Sequence, residues 1–263
     1  MVKTLTRTHL ESVRTLVRYV DEEQAVIEVH TLLRRSLPAC DTSEGGGHQS
    51  LELFLELRSR DGFNDEQCLP LTVRHRRATV RFDVVHPRLW WPAGMGEQPL
   101  YELAVSLLVA GQPSDLWTTT LGFTSVKAQR VRQQRTRRPL LMMVNGQPCD
   151  IGAVVAVDRV DERRLLPAAG DSLLLVRDHY GPDVLYEAAD RAGIMLIQCI
   201  PIHPEARPEK EVPAQVSRLA SHPSLAGWVI GHQGQVSCRI ARRLARLDPM
   251  RSLITLTDQE WVQ

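Results

Sequence analysis

Ser172-Leu-Leu-Leu-Val176, Pro182-Asp-Val-Leu-Tyr-Glu-Ala-Ala-Asp-Arg-Ala192 and Ile194-Met-Leu-Ile-Gln-Cys-Ile-Pro201 follow one another within 30 residues. The two apolar runs are continuous rather than alternating, which predicts strands buried on both faces. Between them, Pro182 in the first turn and Gly193 just past the end punctuate a helix. Towards the C-terminus the same alternation continues. Glu211–Ala220 and Val236–Leu247 read as helices, and Leu225–Ile230 and Ser252–Thr257 as strands. Strand–helix alternation of this kind predicts a parallel sheet with right-handed crossovers.

In the other direction the period changes. Ala25–Leu33, Leu51–Leu57, Ala78–Val84, Leu100–Val109 and Leu116–Val126 are short and mostly alternate in polarity, with Glu44-Gly-Gly-Gly-His48 as a turn. They predict an antiparallel sandwich of about seven strands. Lys127–Arg138 holds six basic residues and no acid. A phosphate or nucleic-acid patch is one reading of this run. The absence of interleaved aromatic residues for base stacking favours a solvated linker. The expected division is therefore a sandwich over 1–126, a basic linker over 127–139 and an α/β domain over 140–263.

Composition narrows the function classes. The chain has 263 residues, 43% hydrophobic and 24% charged, with a net charge of +1, so overall charge implies neither a nucleic-acid nor an acidic partner. Five widely spaced cysteines (Cys40, Cys68, Cys149, Cys199, Cys238) without a CxxC pair favour neither a disulfide framework nor a structural zinc site. No apolar run approaches the length of a membrane span, and the first 20 residues lack a continuous apolar stretch. The expectation is a cytoplasmic chain with no cofactor, no nucleic-acid partner and no membrane contact.

Four segments in order resemble glycoside hydrolase family 2, particularly its β-mannosidase and β-galactosidase-like members. They are His86-Pro-Arg-Leu-Trp-Trp-Pro-Ala-Gly-Met-Gly-Glu-Gln-Pro-Leu-Tyr101, Leu121-Gly-Phe123, Val144-Asn-Gly-Gln-Pro148 and Ser221-His-Pro-Ser-Leu-Ala-Gly-Trp228. Thr124 stands where the family has an arginine after Gly-Phe. The resemblance covers residues from about 10 to 258. It implies an immunoglobulin-like β-sandwich followed by a partial (β/α)8, TIM-type barrel of about five strands, with a shortened first helix over Arg159–Leu166. A full barrel takes about 250 residues. The family's leading sugar-binding domain has no counterpart in the sequence.

The resemblance also locates the chemistry. Retaining glycosidases use two carboxyl groups about 5–5.5 Å apart, one as acid/base and one as nucleophile. The family's acid/base is the Glu of an Asn-Glu pair at the end of strand four, and the matching pair here is His232-Gln233. A glutamine amide has no titratable proton to give a leaving oxygen. The family's nucleophile lies on strand seven, which the five strands do not reach. Arg177 matches the arginine at the end of strand two, near the nucleophile, and Gln198 stands where relatives carry Gln or Asp.

The expectation is a truncated, catalytically degraded member that binds a carbohydrate or another protein, with Arg177, His179, Gln198, His232 and Gln233 as substrate-binding candidates. Open edges of an incomplete barrel imply a homo-oligomer or a partner chain. One alternative is a β-glycosidase completed by a partner subunit, with Glu205 or Asp258 as substitute acid. Another is a metal-dependent enzyme using His179, Cys199, His203 and His232 at strand ends. Trp90 and Trp91 suit sugar stacking, but their setting in Arg88-Leu-Trp-Trp-Pro92 favours packing. Ala241–Leu247 is amphipathic and basic, and reads as a solvated outer helix face.

Overall fold

The computed structural model describes residues 8–35, 50–72, 75–130, 140–157, 173–201, 208–230 and 237–255. The chain divides into two compact units. One comprises residues 1–15, 28–81 and 101–121, and the other residues 16–27, 82–100 and 122–263.

In the first unit, β3 (Leu51–Ser59) lies between β4 (Asn64–Leu71) and β6 (Tyr101–Val109), and β7 (Gln112–Leu121) closes the order β4–β3–β6–β7, all antiparallel. Leu53 opposes Leu107, Leu55 opposes Val105 and Leu57 opposes Leu103, and all six are fully buried on one face. Such cross-strand apolar pairs are what stabilise a sheet. Pro70 and Pro113 fall on the two edge strands, where a missing N–H costs least. Ala110 and Gly111, both at positive φ, form a two-residue turn between β6 and β7. A further sheet, β1 (Thr8–Val20), β2 (Gln24–Arg35) and β5 (Arg77–Val85) in the order β1–β2–β5, draws on residues of both units.

The second unit is built on five parallel strands in chain order. These are β11 (Val154–Val157), β12 (Leu173–Val176), β13 (Leu196–Ile200), β14 (Leu225–Ile230) and β15 (Ser252–Thr255). Helices α1 (Asp183–Ala192), α2 (Pro208–Leu219) and α3 (Ser237–Leu247) alternate with them. Leu174, Val176, Leu196, Ile200, Trp228 and Ile230 pack in one layer with Leu185, Tyr186, Val212, Val216, Ile240 and Leu244 of the helices. Leu173, Leu175, Ile197, Val229 and Ile254 join the opposite layer with Trp90, Val126, Met142 and Val144. Both faces are therefore apolar, as the continuous runs require. Pro182 is the residue before α1, and Gly193 ends it in the left-handed conformation at φ 72°, its N–H donating to the Ala189 carbonyl.

A second small sheet has the order β10–β9–β8, with β8 (Val126–Arg130), β9 (Leu140–Val144) and β10 (Gln147–Cys149) antiparallel. Asn145 and Gly146 make its two-residue turn at φ 48° and 82°, the mirror-image geometry that an Asn-Gly pair favours. This corrects two expectations. The stretch Leu116–Val126 is not one strand, because β7 stops at Leu121 and β8 starts at Val126. A Cβ on Gly122, which lies between them, would be 2.6 Å from the Pro223 ring, so only glycine fits there. The basic run, expected as a linker from 127, begins instead as β8, paired with β9 through Arg130↔Leu140. Its remainder, and the shortened helix expected over Arg159–Leu166, lie outside the described residues.

Candidate functional site at the strand ends

The carboxyl ends of β12 and β13 bring two of the expected site residues together. Val176 pairs with Gln198 and Cys199 with Val229, so Arg177 and Cys199 leave adjacent strands at the same level. Cys199 packs with the Trp90 layer, on the face away from the helices. Burial pushes its thiol up to about 12, with the Arg177 charge opposing and Asp178 adding to the rise. A thiol held there is not a thiolate at neutral pH, and so is not a nucleophile. The Arg177 Nε is buried and has no hydrogen-bond partner among the described residues. Asp178 is exposed and His179 is buried.

Gln198 lies on the other face, with Leu196 and Ile200, and is fully buried. Its Oε1 accepts from the Gly181 N–H at 3.1 Å and the Tyr186 hydroxyl at 2.7 Å. Its Nε2 donates to the carbonyls of His179 and Cys199, each at 2.7 Å. Both ends of the amide are engaged, so Gln198 acts by fixing the loop 177–181 that carries Arg177. Arg218 anchors the same loop from α2, donating to the Gly181 carbonyl at 2.8 Å and pairing with Asp183. Sequence reading missed Arg218 and Tyr186, although Tyr186 stands within the strand–helix–strand motif. Next to them the Tyr180 hydroxyl is buried and unpartnered among the described residues. Burial first, and then Glu211, push it up from its usual value.

His203, His232, Gln233, Glu205 and Asp258 lie outside the described residues. No group of three or more His, Cys, Asp or Glu suited to a metal occurs among the described residues. Cys68, Cys149 and Cys199 are not joined in disulfides. No helix among the described residues is long and apolar enough to cross a membrane.

Beneath the strand ends a buried polar network ties the second unit together. Trp90 is fully buried. Its N–H donates to the Phe123 carbonyl at 2.8 Å and its indole Nε1 to the Asp190 carbonyl at 2.8 Å. Its own carbonyl accepts from Asn145 Nδ2 at 2.9 Å, and Asn145 Oδ1 accepts the Ser125 N–H at 2.9 Å. The Asp190 carboxylate pairs with His222 Nδ1 at 2.6 Å and accepts the Ser224 N–H at 3.0 Å. Trp228 Nε1 donates to Asp248 at 2.8 Å, and Arg251 donates to the carbonyls of His222 and Leu225. Burial pushes the Asp248 carboxyl up and the Arg251 guanidinium down, each opposed by the other's charge. Residues from all four resemblance-bearing segments thus belong to one connected set of contacts.

The profile of Glycosyl hydrolases family 2 matches residues 8–123. Over these residues the chain is similar to glycosyl hydrolase family 2. Among curated members, an exo-β-D-glucosaminidase of Amycolatopsis orientalis is 27% identical over 217 residues, covering 71% of this chain and 20% of that protein. A β-mannosidase B of Emericella nidulans is 27% identical over 175 residues, covering 58% and 21%. Among solved structures, the β-D-mannosidase from Dictyoglomus thermophilum superposes with a TM-score of 0.72 at 22% identity, covering 94% of this chain and 34% of that one. The Amycolatopsis orientalis exo-chitosanase gives 0.69 at 19% identity, covering 95% and 32%. At these identities the superpositions establish shared fold. The chain spans about a fifth of the length of these curated relatives and about a third of these solved ones.

Proposed function

We propose that this chain binds a carbohydrate at the strand-end rim and does not by itself hydrolyse glycosidic bonds. In this reading residues 1–126 form an immunoglobulin-like sandwich, and residues from 140 form five strands of a TIM-type barrel. The observation that carries the reading is that β14 is the fourth strand of its sheet and is followed at once by Gly231-His232-Gln233. The position that matches the family's proton donor therefore holds an amide, which supplies no proton to a leaving group. Arg177, in the loop that Gln198 fixes, is a cation suited to orient a sugar.

Nitrophenyl β-mannoside, β-glucosaminide and β-galactoside are expected to give no turnover above a no-protein control. The Gln233→Glu variant is expected to stay equally silent, because a retaining mechanism needs a second carboxylate placed about 5–5.5 Å away. Turnover by the unaltered chain would overturn the proposal, and turnover by Gln233→Glu alone would make Gln233 the sole lesion.

A second element of the reading concerns β11 and β15, which have one sheet neighbour each among the described residues. Edge strands of this kind recruit partners. We infer that a second copy covers them. Size-exclusion chromatography with light scattering should then read a dimer, and a well-behaved monomer at micromolar concentration counts against it.

A further inference from the structure

The five parallel strands β11 to β15 contain neither Asp nor Glu. Arg177, the residue after β12, therefore finds no carboxylate on the strands beside it. Arg177 is half-buried, and its Nε is wholly buried without a hydrogen-bond partner among the described residues. Its charge reaches the Cys199 thiol, which packs with the Trp90 layer on the face away from the helices. Asp178, the neighbouring acid, is exposed. A guanidinium keeps its charge at any working pH, so burying one of its N–H groups unpaired is costly until an anion completes it. The backbone that carries it is already fixed. Gln198 holds the Gly181 N–H and the His179 and Cys199 carbonyls, and Arg218 holds the Gly181 carbonyl. Such preorganisation lowers the ordering cost that a ligand must meet.

We infer that Arg177 is the receptor for a carboxylate, and that the ligand of the strand-end rim is an acidic sugar of the uronate class. The inference rests on the carbohydrate-binding reading above and adds the ligand's charge to it. The orphaned atom is the one that decides the chemistry. An Nε–H and one Nη–H together form the side of the guanidinium fork that matches two carboxylate oxygens. A neutral sugar hydroxyl can accept from the Nε–H, but it leaves the buried charge uncompensated. The Cys199 thiol beside the guanidinium is uncharged at neutral pH, so it neither takes the place of the carboxylate nor repels it.

Isothermal titration of the full chain with D-glucuronate, D-galacturonate, D-glucose, D-galactose and acetate tests it. The better uronate should bind about tenfold more tightly than its neutral counterpart, the worth of a charge-assisted pair of hydrogen bonds. Arg177→Gln should bring the uronate down to the affinity of the neutral sugar and leave the neutral sugar within about twofold. Arg177→Lys keeps the charge without the fork and should weaken the uronate about threefold. Because the buried Nε–H has no partner to lose, Arg177→Gln should also melt no lower than the unaltered chain. A melting point more than about 5 °C lower would mean that the guanidinium is satisfied within the chain, and would overturn the inference. A uronate bound no more tightly than its neutral sugar, or bound undiminished by Arg177→Gln, would overturn it and leave the carbohydrate reading standing. Acetate bound as tightly as the uronate, or no binding of any of the five, would overturn both.

Discussion

The Asp190→Ala variant should melt about 10 °C below the unaltered chain, a loss of roughly 3–4 kcal/mol. Asp190 is buried in α1. Its two carboxylate oxygens serve two different partners, His222 Nδ1 at 2.6 Å and the Ser224 N–H at 3.0 Å. Removing the carboxylate leaves a buried imidazole and a buried backbone donor unsatisfied, and an orphaned donor alone costs about 1–3 kcal/mol. The loss also propagates. The segment from His222 to Leu225 offers the carbonyls that hold Arg251, so loosening His222 loosens the start of β15. Asp190→Asn keeps an acceptor for Ser224 and should lose roughly half as much. A double-mutant cycle with His222→Ala, read by thermal melts in near-ultraviolet circular dichroism, isolates the pair. Coupling below about 0.5 kcal/mol would remove Asp190 from the centre of the network.

How far the sequence could be read depended on what each residue faces. The segment from Ser172 to Pro201 was legible because buried parallel strands carry unbroken apolar runs and because Pro182 and Gly193 bracket the helix. The observed β12, α1 and β13 fall within a few residues of those bounds. Strand β4 was illegible for the opposite reason. Its sequence Asn-Asp-Glu-Gln-Cys-Leu-Pro-Leu follows an edge, and only Leu71 is buried, so no hydrophobic period marks it. Gly122, between β7 and β8, fits closely against Pro223, a contact between residues a hundred positions apart that no local pattern encodes.

The site was half legible for a related reason. Arg177 and Gln198 could be ranked along the chain by strand order. In a strand apolar on both sides, however, nothing in the sequence says which face a polar residue takes. Only the register and the Tyr186 hydroxyl put Gln198 on the helix side and Cys199 on the other. Reading Gln198 as a ligand group therefore overlooked that its amide was already committed to the loop.

Trp90→Ala should destabilise the chain by roughly 3–5 kcal/mol, a cost comparable to the loss of Asp190. The tryptophan pair at 90 and 91 invites a sugar-stacking role, and the two residues differ in a way that separates it from packing. Trp91 is half-buried, whereas Trp90 is fully buried among Val126, Met142, Val144, Leu173 and Leu175. Truncating Trp90 opens a cavity in the layer that covers the non-helical face of the parallel sheet. It also strips the Asp190 carbonyl of its indole donor, so the two variants act on one network from opposite sides. Trp90→Phe refills most of the volume without the N–H and should cost only about 1–2 kcal/mol. Because the two sites share Asp190, the double variant Trp90→Phe/Asp190→Asn should lose less than the sum of the single losses. Strict additivity in melting free energies would mean that Trp90 packs independently of the Asp190 network. A Trp90→Ala chain melting within about 2 °C of the unaltered one would return the residue to a surface, sugar-facing role.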